Sequence, residues 1–171
     1  GYVGLPLALE FAKKKEVVGF DIKKQRINEL NNGFDKNLEF SKKHLKNSKK
    51  LKFTNEKKDL KSSNCFIICV PTPLSKNREP DLSYISNTID AISPYLRKYQ
   101  LISLESTTYP GMTDELISTR LKSEGFEVGN DFYLVYSPER EDPGNKIFKS
   151  KQIPKLLGGY TKKCSELGQR V

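Results

Sequence analysis

The chain has 171 residues, of which 36% are hydrophobic and 30% are charged, and its net charge is +9. This composition excludes a disordered chain, and no apolar run approaches the roughly 18 residues that a membrane span needs, so we expect no membrane insertion. The excess of basic residues favours an anionic partner, but the lysines cluster without alternating aromatic residues, so we expect no nucleic-acid partner.

The first residues have the pattern of a phosphate-binding turn that opens a helix. Gly1 and Gly4 have the spacing of the second and third glycines of the fingerprint G-x-G-x-x-G. The second glycine lets the backbone approach a pyrophosphate, and the third lets the helix pack closely on a strand. The first glycine and the apolar strand before it are not in the sequence, so we expect the first strand of this unit to be missing from the chain.

Predicted strands and helices alternate along the rest of the chain. The strands are predicted at residues 16–21, 51–53, 65–70, 101–105, 132–136 and 155–159. The helices are predicted at residues 5–15, 23–30, 35–50, 83–96, 113–123 and 161–171. This alternation requires crossover connections and predicts a Rossmann-like, doubly wound parallel sheet. We assign residues 1–160 to one nucleotide-binding domain and residues 161–171 to the start of a helix that leads to an absent central domain.

The acidic residue after the first predicted strand is a candidate for cofactor recognition. Asp21 lies 17 residues after Gly4, about where the acidic residue of a dinucleotide-binding unit accepts hydrogen bonds from the adenosine ribose. A carboxylate there favours NAD over NADP, whereas nearby cations can accommodate a 2′-phosphate. Those cations are Lys23, Lys24 and Arg26. The alternative is that Asp21 only caps the next helix.

Polar residues also follow later strands, and ligands bind at the carboxyl ends of the strands in open α/β sheets. Thr72 stands between two prolines that can hold its hydroxyl against a cofactor, or it is simply part of a rigid strand exit. Thr107, between Ser106 and Thr108, can contact a cofactor or a water, or it can form a turn. Glu139 and Arg140 can carry out acid–base chemistry or hold an anionic substrate, or they can form a surface ion pair.

Metal and triad chemistry are not expected from this composition. The one histidine, His44, lies in a lysine-rich stretch, so we predict neither a histidine-based metal site nor a Ser-His-Asp triad. The cysteines number three, and an odd number fits a reducing compartment, so we expect a cytoplasmic protein. Cys65 and Cys69 lie in an apolar run and are predicted to be small core residues.

Nine short motifs occur in order along essentially the whole chain. They are GYVGLPLA at 1–8, FDI at 20–22, NNG at 31–33, VPTP at 70–73, PDLS at 80–83, ESTTYPG at 105–111, SPER at 137–140, PGN at 143–145 and GG at 158–159. Together they resemble the NAD-binding N-terminal domain of the UDP-glucose/GDP-mannose dehydrogenase family. The ESTTYPG and SPER forms are more similar to the branch that oxidises UDP-N-acetylhexosamines for bacterial surface polysaccharides than to the UDP-glucose branch.

The resemblance implies an activity and a set of site residues. The C6 alcohol of a UDP-sugar, such as UDP-N-acetylglucosamine, is oxidised to the uronic acid with two NAD⁺, through a thiohemiacetal on a cysteine, in a full-length homodimer. The residues implied around NAD are Gly1, Val3, Asp21, Arg26, Thr72 and Thr107, which join Gly4 of the turn. Thr107 is also implied near a catalytic water. Glu139 is implied near the reacting C6 and Arg140 beside the sugar nucleotide, so Thr107 and Glu139 are the predicted catalytic residues.

The sequence also departs from the family pattern. The UDP-glucose branch has a further acid four positions after the residue that matches Glu139, and here that position is Pro143. By the resemblance, the family's nucleophilic cysteine, its lysine and asparagine base and its dimerisation helix lie beyond residue 171, so we expect this chain alone to be inactive. Two alternatives stay open: another NAD-dependent dehydrogenase, such as a 3-hydroxyacid dehydrogenase, and a non-catalytic module that binds nucleotides or nucleic acid.

Overall fold

A computed structural model describes residues 1–138 and 155–171. The chain divides into two units, Gly1–Ser63 and Asn64–Val171, and each contains its own parallel strands. Among the described residues, no helix combines the length and the apolar character that crossing a membrane would require.

The first unit consists of four helical segments around a pair of parallel strands. In chain order these are α1 (Gly4–Phe11), β1 (Val17–Phe20), α2 (Lys24–Asn31), α3 (Lys42–Asn47), β2 (Leu51–Thr54) and a 3₁₀ helix (Lys57–Ser62). The strands are paired from Val17 with Leu51 to Phe20 with Thr54. The core of this unit contains the buried leucines Leu5, Leu9, Leu30 and Leu45, against which Phe40, Leu51 and Phe53 pack.

The end of α2 explains how the chain leaves this helix. Gly33 has a φ of +76°, which glycine adopts at little cost. Its N–H donates to the carbonyl of Leu30 at 2.9 Å, and the N–H of Phe34 donates to the carbonyl of Glu29 at 2.9 Å. This pair of bonds satisfies carbonyls that the helix leaves open, as in a Schellman motif. The helix end predicted at residues 31–33 is therefore confirmed.

The second unit has a four-stranded sheet in the order β3-β4-β5-β6. Its elements are β3 (Cys65–Ile68), α4 (Ser83–Ile92), a 3₁₀ turn (Ser93–Tyr95), β4 (Gln100–Leu104), a π-helical segment (Thr113–Ser118) that continues as α5 (Thr119–Lys122), β5 (Phe132–Tyr136), β6 (Gly158–Gly159) and α6 (Lys162–Gly168). β3, β4 and β5 are parallel, whereas β6 runs antiparallel to β5.

The middle of this sheet is buried on both faces, as is usual for parallel sheets. Every residue of β4 is buried. On one face Leu101, Tyr133 and Val135 form a cluster with Cys164 of α6, which is fully buried although it lies in a polar stretch of sequence. The helix α6 therefore belongs to the core of the second unit, and whether it leads to a further domain stays a prediction.

Parallel strands separated by helices confirm the Rossmann-like α/β fold class, and several predicted elements differ in extent, of which three have a clear cause or consequence. The predicted helix at 35–50 shortens to Lys42–Asn47, because the backbone N–H groups before it bind the carboxylate of Asp35 instead. The predicted helix at 83–96 ends at Ile92, because Pro94 starts a 3₁₀ turn. The predicted last strand shortens to Gly158–Gly159 and is antiparallel, which the sequence did not predict.

Gly159 is predicted to tolerate no side chain. A Cβ added there would overlap the backbone nitrogen of Ser165, because β6 and the start of α6 approach closely. We expect Gly159→Ala to destabilise the domain by about 1–3 kcal/mol or more, since backbone atoms cannot move aside as a side chain can. The measurement is urea unfolding followed by circular dichroism.

Gly158→Ala is the matched control. At Gly158 the nearest atom to an added Cβ is the carbonyl oxygen of Tyr136, at 4.0 Å. We expect a change within about 0.5 kcal/mol for this variant. Equal stability of the two variants would contradict the close approach of β6 and α6.

Candidate functional site

The predicted phosphate turn lies at the start of the first unit. The turn leads directly into α1, with the N–H of Leu5 donating to the carbonyl of Gly1 at 3.4 Å. Within the described residues, a Cβ placed on Gly1 would meet no atom within 4 Å. In the same part of the chain, no side chain caps the start of α1 at Val3. An uncapped helix start presents backbone N–H groups, and such groups bind phosphates well.

Asp21 follows β1 directly and does not cap α2, whose N-cap residue is Lys23 and has no side-chain cap within the described part of the chain. Instead Oδ1 of Asp21 accepts a hydrogen bond from the N–H of Lys23 at 2.8 Å, which forms a turn before the helix, and the N–H of Asp21 donates to the carbonyl of Thr54 at 3.2 Å. Among the described residues, Oδ2 has no hydrogen-bond partner. This turn and a ribose-binding role are therefore compatible, because they use different oxygens of one carboxylate.

Arg26 lies in a buried ion pair that the sequence did not predict. Its Nη2 donates to Oδ1 of Asp35 at 2.6 Å, and the two side chains are 6% and 0% exposed. Its Nη1 is 3.7 Å from Oε2 of Glu29, and neither atom has a hydrogen-bond partner within the described residues. The guanidinium of Arg26 is thus paired with Asp35. The cofactor role implied for Arg26 stays a prediction.

Asp35 binds the backbone of the residues that follow it in the chain. Its oxygens accept hydrogen bonds from the backbone N–H groups of Asn37, Glu39 and Phe40, at 3.2–3.3 Å. Burial tends to raise the pKa of this carboxyl, but the hydrogen bonds from Arg26 and the backbone outweigh burial and bring the pKa below its usual value. Asp35 is therefore ionised at neutral pH.

In the second unit the structure brings together the predicted residues after β3 and β4. The hydroxyl of Thr72 donates to the carbonyl of Thr107 at 2.7 Å. The hydroxyl of Ser106 donates to the carbonyl of Val70 at 2.6 Å. In the described part of the chain, the hydroxyl of Thr107 has no partner and that of Thr108 is buried without one. The two strand exits thus form one polar edge, at which the hydroxyl of the exposed Thr107 is available to a ligand.

Glu105 is a buried carboxylate at this edge, with its side chain 6% exposed. Oε1 accepts a hydrogen bond from the hydroxyl of Ser103 at 2.8 Å, and Oε2 pairs with the ammonium of Lys155. Burial and, to a lesser extent, the charge of Glu105 raise the pKa of the Cys65 thiol to about 11. Sequence reasoning missed the partnership with Lys155, because no local pattern connects two residues 50 positions apart.

Glu139 and Arg140, the predicted substrate residues, lie outside the described residues. Ser137, just before them, is buried after β5, and its N–H donates to the carbonyl of Leu104 at 2.9 Å. The carboxyl ends of β4 and β5 are therefore neighbours. Among residues 1–138 and 155–171, no group of three His, Cys, Asp or Glu side chains is placed to hold a metal ion.

Comparisons with known proteins identify the relatives of this chain. Residues 1–171 match the UDP-glucose/GDP-mannose dehydrogenase family, NAD-binding domain. The chain is 42% identical over its whole length to the UDP-N-acetyl-D-glucosamine 6-dehydrogenase of Salmonella typhi, of which it covers 40%. It is 43% identical over 98% of its length to the protein of the same name from Pseudomonas aeruginosa, again covering 40%. The chain thus spans about 40% of the length of the curated relatives it matches.

A solved structure matches the same extent of chain. The UDP-D-ManNAc dehydrogenase from Pyrococcus horikoshii matches with a TM-score of 0.90 and 38% identity, over 99% of this chain and 42% of that one. At this identity the likeness supports both the fold and the family. The expectation of an NAD-binding Rossmann-like domain is confirmed by these matches.

The contribution of the Glu105 charge to the raised Cys65 pKa, which is smaller than that of burial, can be tested by Glu105→Gln. The amide keeps an acceptor for Ser103 but removes the negative charge, so the pKa of Cys65 should fall from about 11 while burial keeps it above the ordinary value. Since the thiolate is the reactive form, we expect alkylation of Cys65 by iodoacetamide at pH 9 to become roughly two- to tenfold faster. Peptide mass spectrometry measures the rate at each cysteine.

Glu115→Gln provides the control for this substitution. Glu115 is an exposed carboxylate of the same unit, which accepts a hydrogen bond from the hydroxyl of Tyr109 at 2.9 Å. Its loss should leave the Cys65 rate unchanged. A Cys65 rate that responds equally to both substitutions, or to neither, would show that Glu105 does not influence the thiol.

Proposed function

The chain belongs to the UDP-glucose/GDP-mannose dehydrogenase family, whose NAD-binding domain it forms, and we propose that the whole protein oxidises the C6 alcohol of a UDP-N-acetylhexosamine to the uronic acid. The observation that carries this proposal is the 42–43% identity to two UDP-N-acetyl-D-glucosamine 6-dehydrogenases over nearly the whole chain. UDP-N-acetylglucosamine is the first substrate to test, and the product would serve the synthesis of bacterial surface polysaccharide.

The first unit supplies the pyrophosphate and adenosine part of the proposed cofactor site. The start of α1 at Gly4, beside Val3, has no side-chain cap within the described residues and suits a pyrophosphate, and Gly1 has no side chain of its own to keep the backbone from approaching it. Oδ2 of Asp21 is available to accept hydrogen bonds from ribose hydroxyls while Oδ1 holds the start of α2. Arg26 is buried against Asp35, so we propose that it serves this site through that ion pair.

The second unit supplies hydroxyl groups to the reaction. Thr72 donates to the backbone carbonyl of Thr107 and so fixes the backbone of that residue. This bond does not involve the Thr107 hydroxyl, which can still bind a ligand. In the proposed mechanism the Thr107 hydroxyl contacts the cofactor and orients a water for the final hydrolysis. When bound, NAD⁺ supplies the acceptor for the hydride removed from C6. Glu139 and Arg140, proposed at the reacting carbon and beside the sugar nucleotide, lie outside the described residues.

The proposal extends to the setting of the whole protein. None of the three cysteines, Cys65, Cys69 and Cys164, which all lie in the described part of the chain, is in a disulfide, which fits the reducing conditions of the cytoplasm. We propose a cytoplasmic homodimer, for which light scattering of the full-length protein is the direct measurement. The family assignment favours this activity over the 3-hydroxyacid dehydrogenase and the nucleic-acid-binding module considered from the sequence.

The activity is tested with the full-length protein and a panel of UDP-sugars. We expect NADH absorbance at 340 nm to rise with UDP-N-acetylhexosamines and two NADH to form for each sugar oxidised. A protein in which Cys65 is replaced by Ser should behave in the same way, since a protonated thiol is not a nucleophile. Absence of NADH with every UDP-sugar, or one NADH per sugar, would refute the proposed reaction.

The proposed ribose contact is tested by Asp21→Ala and Asp21→Asn. Asparagine forms the same two-residue turn as aspartate, so Asp21→Asn retains the bond to Lys23 but loses the charge. We expect it to weaken NAD⁺ binding by roughly ten- to a hundredfold with little loss of stability, since hydrogen bonds to charged groups are the stronger kind. Asp21→Ala should weaken NAD⁺ binding and also destabilise the fold. Calorimetry and urea unfolding measure the two effects.

Asp81→Asn is the matched control for the ribose contact. Asp81 accepts a hydrogen bond from the N–H of Ser83 at 3.0 Å, which is the same two-residue turn, but lies outside the proposed cofactor residues. We expect unchanged NAD⁺ affinity. If both Asp21 variants bind NAD⁺ as tightly as the wild type, Asp21 does not hold the ribose.

A further inference from the structure

The residues after Asp21 leave the choice between NAD⁺ and NADP⁺ open. An acidic residue at this place favours the 2′-hydroxyl of NAD⁺, whereas an arginine nearby can accept the 2′-phosphate of NADP⁺. Arg26, five positions after Asp21, has the chemistry for that second role. Lys23 and Lys24 are exposed, so solvent and salt screen their charges. The orientation of Arg26 therefore bears directly on cofactor choice.

Two carboxylates flank the guanidinium of Arg26. Asp35 binds Nη2 at 2.6 Å, and Oε2 of Glu29 lies 3.7 Å from Nη1. The Arg26 side chain is 6% exposed, and Nη1 is inaccessible to solvent. The positive charge is thus balanced inside the protein, because Nη2 is bound to Asp35 and Nη1 is buried beside Glu29.

Asp35 is itself fixed in place. Three backbone N–H groups of residues 37–40 bind its two oxygens, and the side chain is 0% exposed. Rotation of this carboxylate would break all three bonds as well as the ion pair. The lowered pKa keeps it ionised at neutral pH. Asp35 therefore holds Arg26 in one position.

We propose that Asp35 is a specificity-determining residue for the cofactor, which acts through Arg26. By keeping the guanidinium in the buried ion pair, Asp35 denies a 2′-phosphate its counter-cation, while Asp21 repels the same phosphate. Two carboxylates thereby favour NAD⁺ over NADP⁺: Asp21 acts at the ribose, and Asp35 acts by keeping Arg26 in the ion pair. This inference rests on the proposed place of Asp21 at the ribose.

The experiment measures NAD⁺ and NADP⁺ dissociation constants of the full-length protein by calorimetry. Asp21→Asn is the common background, because it removes the direct repulsion of a 2′-phosphate. Adding Asp35→Asn frees Arg26, so we expect NADP⁺ affinity relative to NAD⁺ to rise by roughly tenfold, the size of a charge-assisted bond. Adding Arg26→Met to these two substitutions should abolish the rise in relative NADP⁺ affinity, because Asp35 acts only through Arg26.

The control adds the same change of charge elsewhere. Asp90→Asn removes a carboxylate that pairs with Arg120 at 2.9 Å on the surface of the second unit. In the Asp21→Asn background it should leave the ratio of the two affinities unchanged. A purely structural role of Asp35 would weaken both cofactors equally and leave this ratio unaltered, which would overturn the proposal.

Arg26→Met in the Asp21→Asn background tests the proposal even if Asp35→Asn fails to fold. With Asp35 present, Arg26 should contribute nothing to NADP⁺ affinity, so the ratio should stay constant. A specific loss of NADP⁺ affinity would show that Arg26 already reaches the phosphate and would overturn the proposal. If the wild-type protein binds neither cofactor, the proposed function fails as well. Normal NAD⁺ binding with an unchanged ratio refutes this inference alone.

Discussion

Parallel pairing of strands is the constraint on which the rest of each unit depends. A parallel strand must be followed by a crossover that returns the chain to the same end, so both faces of the sheet are covered. In the second unit this burial reaches every residue of β4. The polar groups of this part of the chain are consequently concentrated where β3 and β4 end, at Thr72 and Thr107, and there they hydrogen-bond to one another. The polar groups that can bind a ligand thus lie where these strands end, and the buried core lies along the strands themselves.

Each of the two units contains a buried carboxylate that forms an ion pair. Asp35 and Glu105 are both nearly inaccessible carboxylates with a cationic partner and further hydrogen bonds, which is the condition under which a buried charge is tolerated. Removing one partner of such a pair leaves an uncompensated charge, so these pairs fix local geometry more than they add stability. Arg26 illustrates this, because its ion pair decides which groups remain available near Asp21.

The sequence was sufficient for features that depend on local rules. The helix end at Gly33, the strand Cys65–Ile68 and the position of Asp21 after β1 follow from spacing and turn chemistry. The partners of Arg26 and Lys155 do not, because they depend on chain segments that meet only after folding. The requirement for glycine at position 159 could not be predicted from the sequence for the same reason, since it arises from the close approach of α6.

The half-buried Cys65 and the buried Cys164 have a consequence for how the protein withstands oxidants. Peroxides and electrophiles react with thiolates, and Cys65 stays protonated while Cys164 is sealed in the core, where it accepts hydrogen bonds from the N–H of Leu134 and the hydroxyl of Thr161. These two cysteines act as small apolar residues that resist sulfenic acid formation. In a protein whose proposed chemistry runs through a thiolate elsewhere, they would not compete with it for an electrophilic inhibitor.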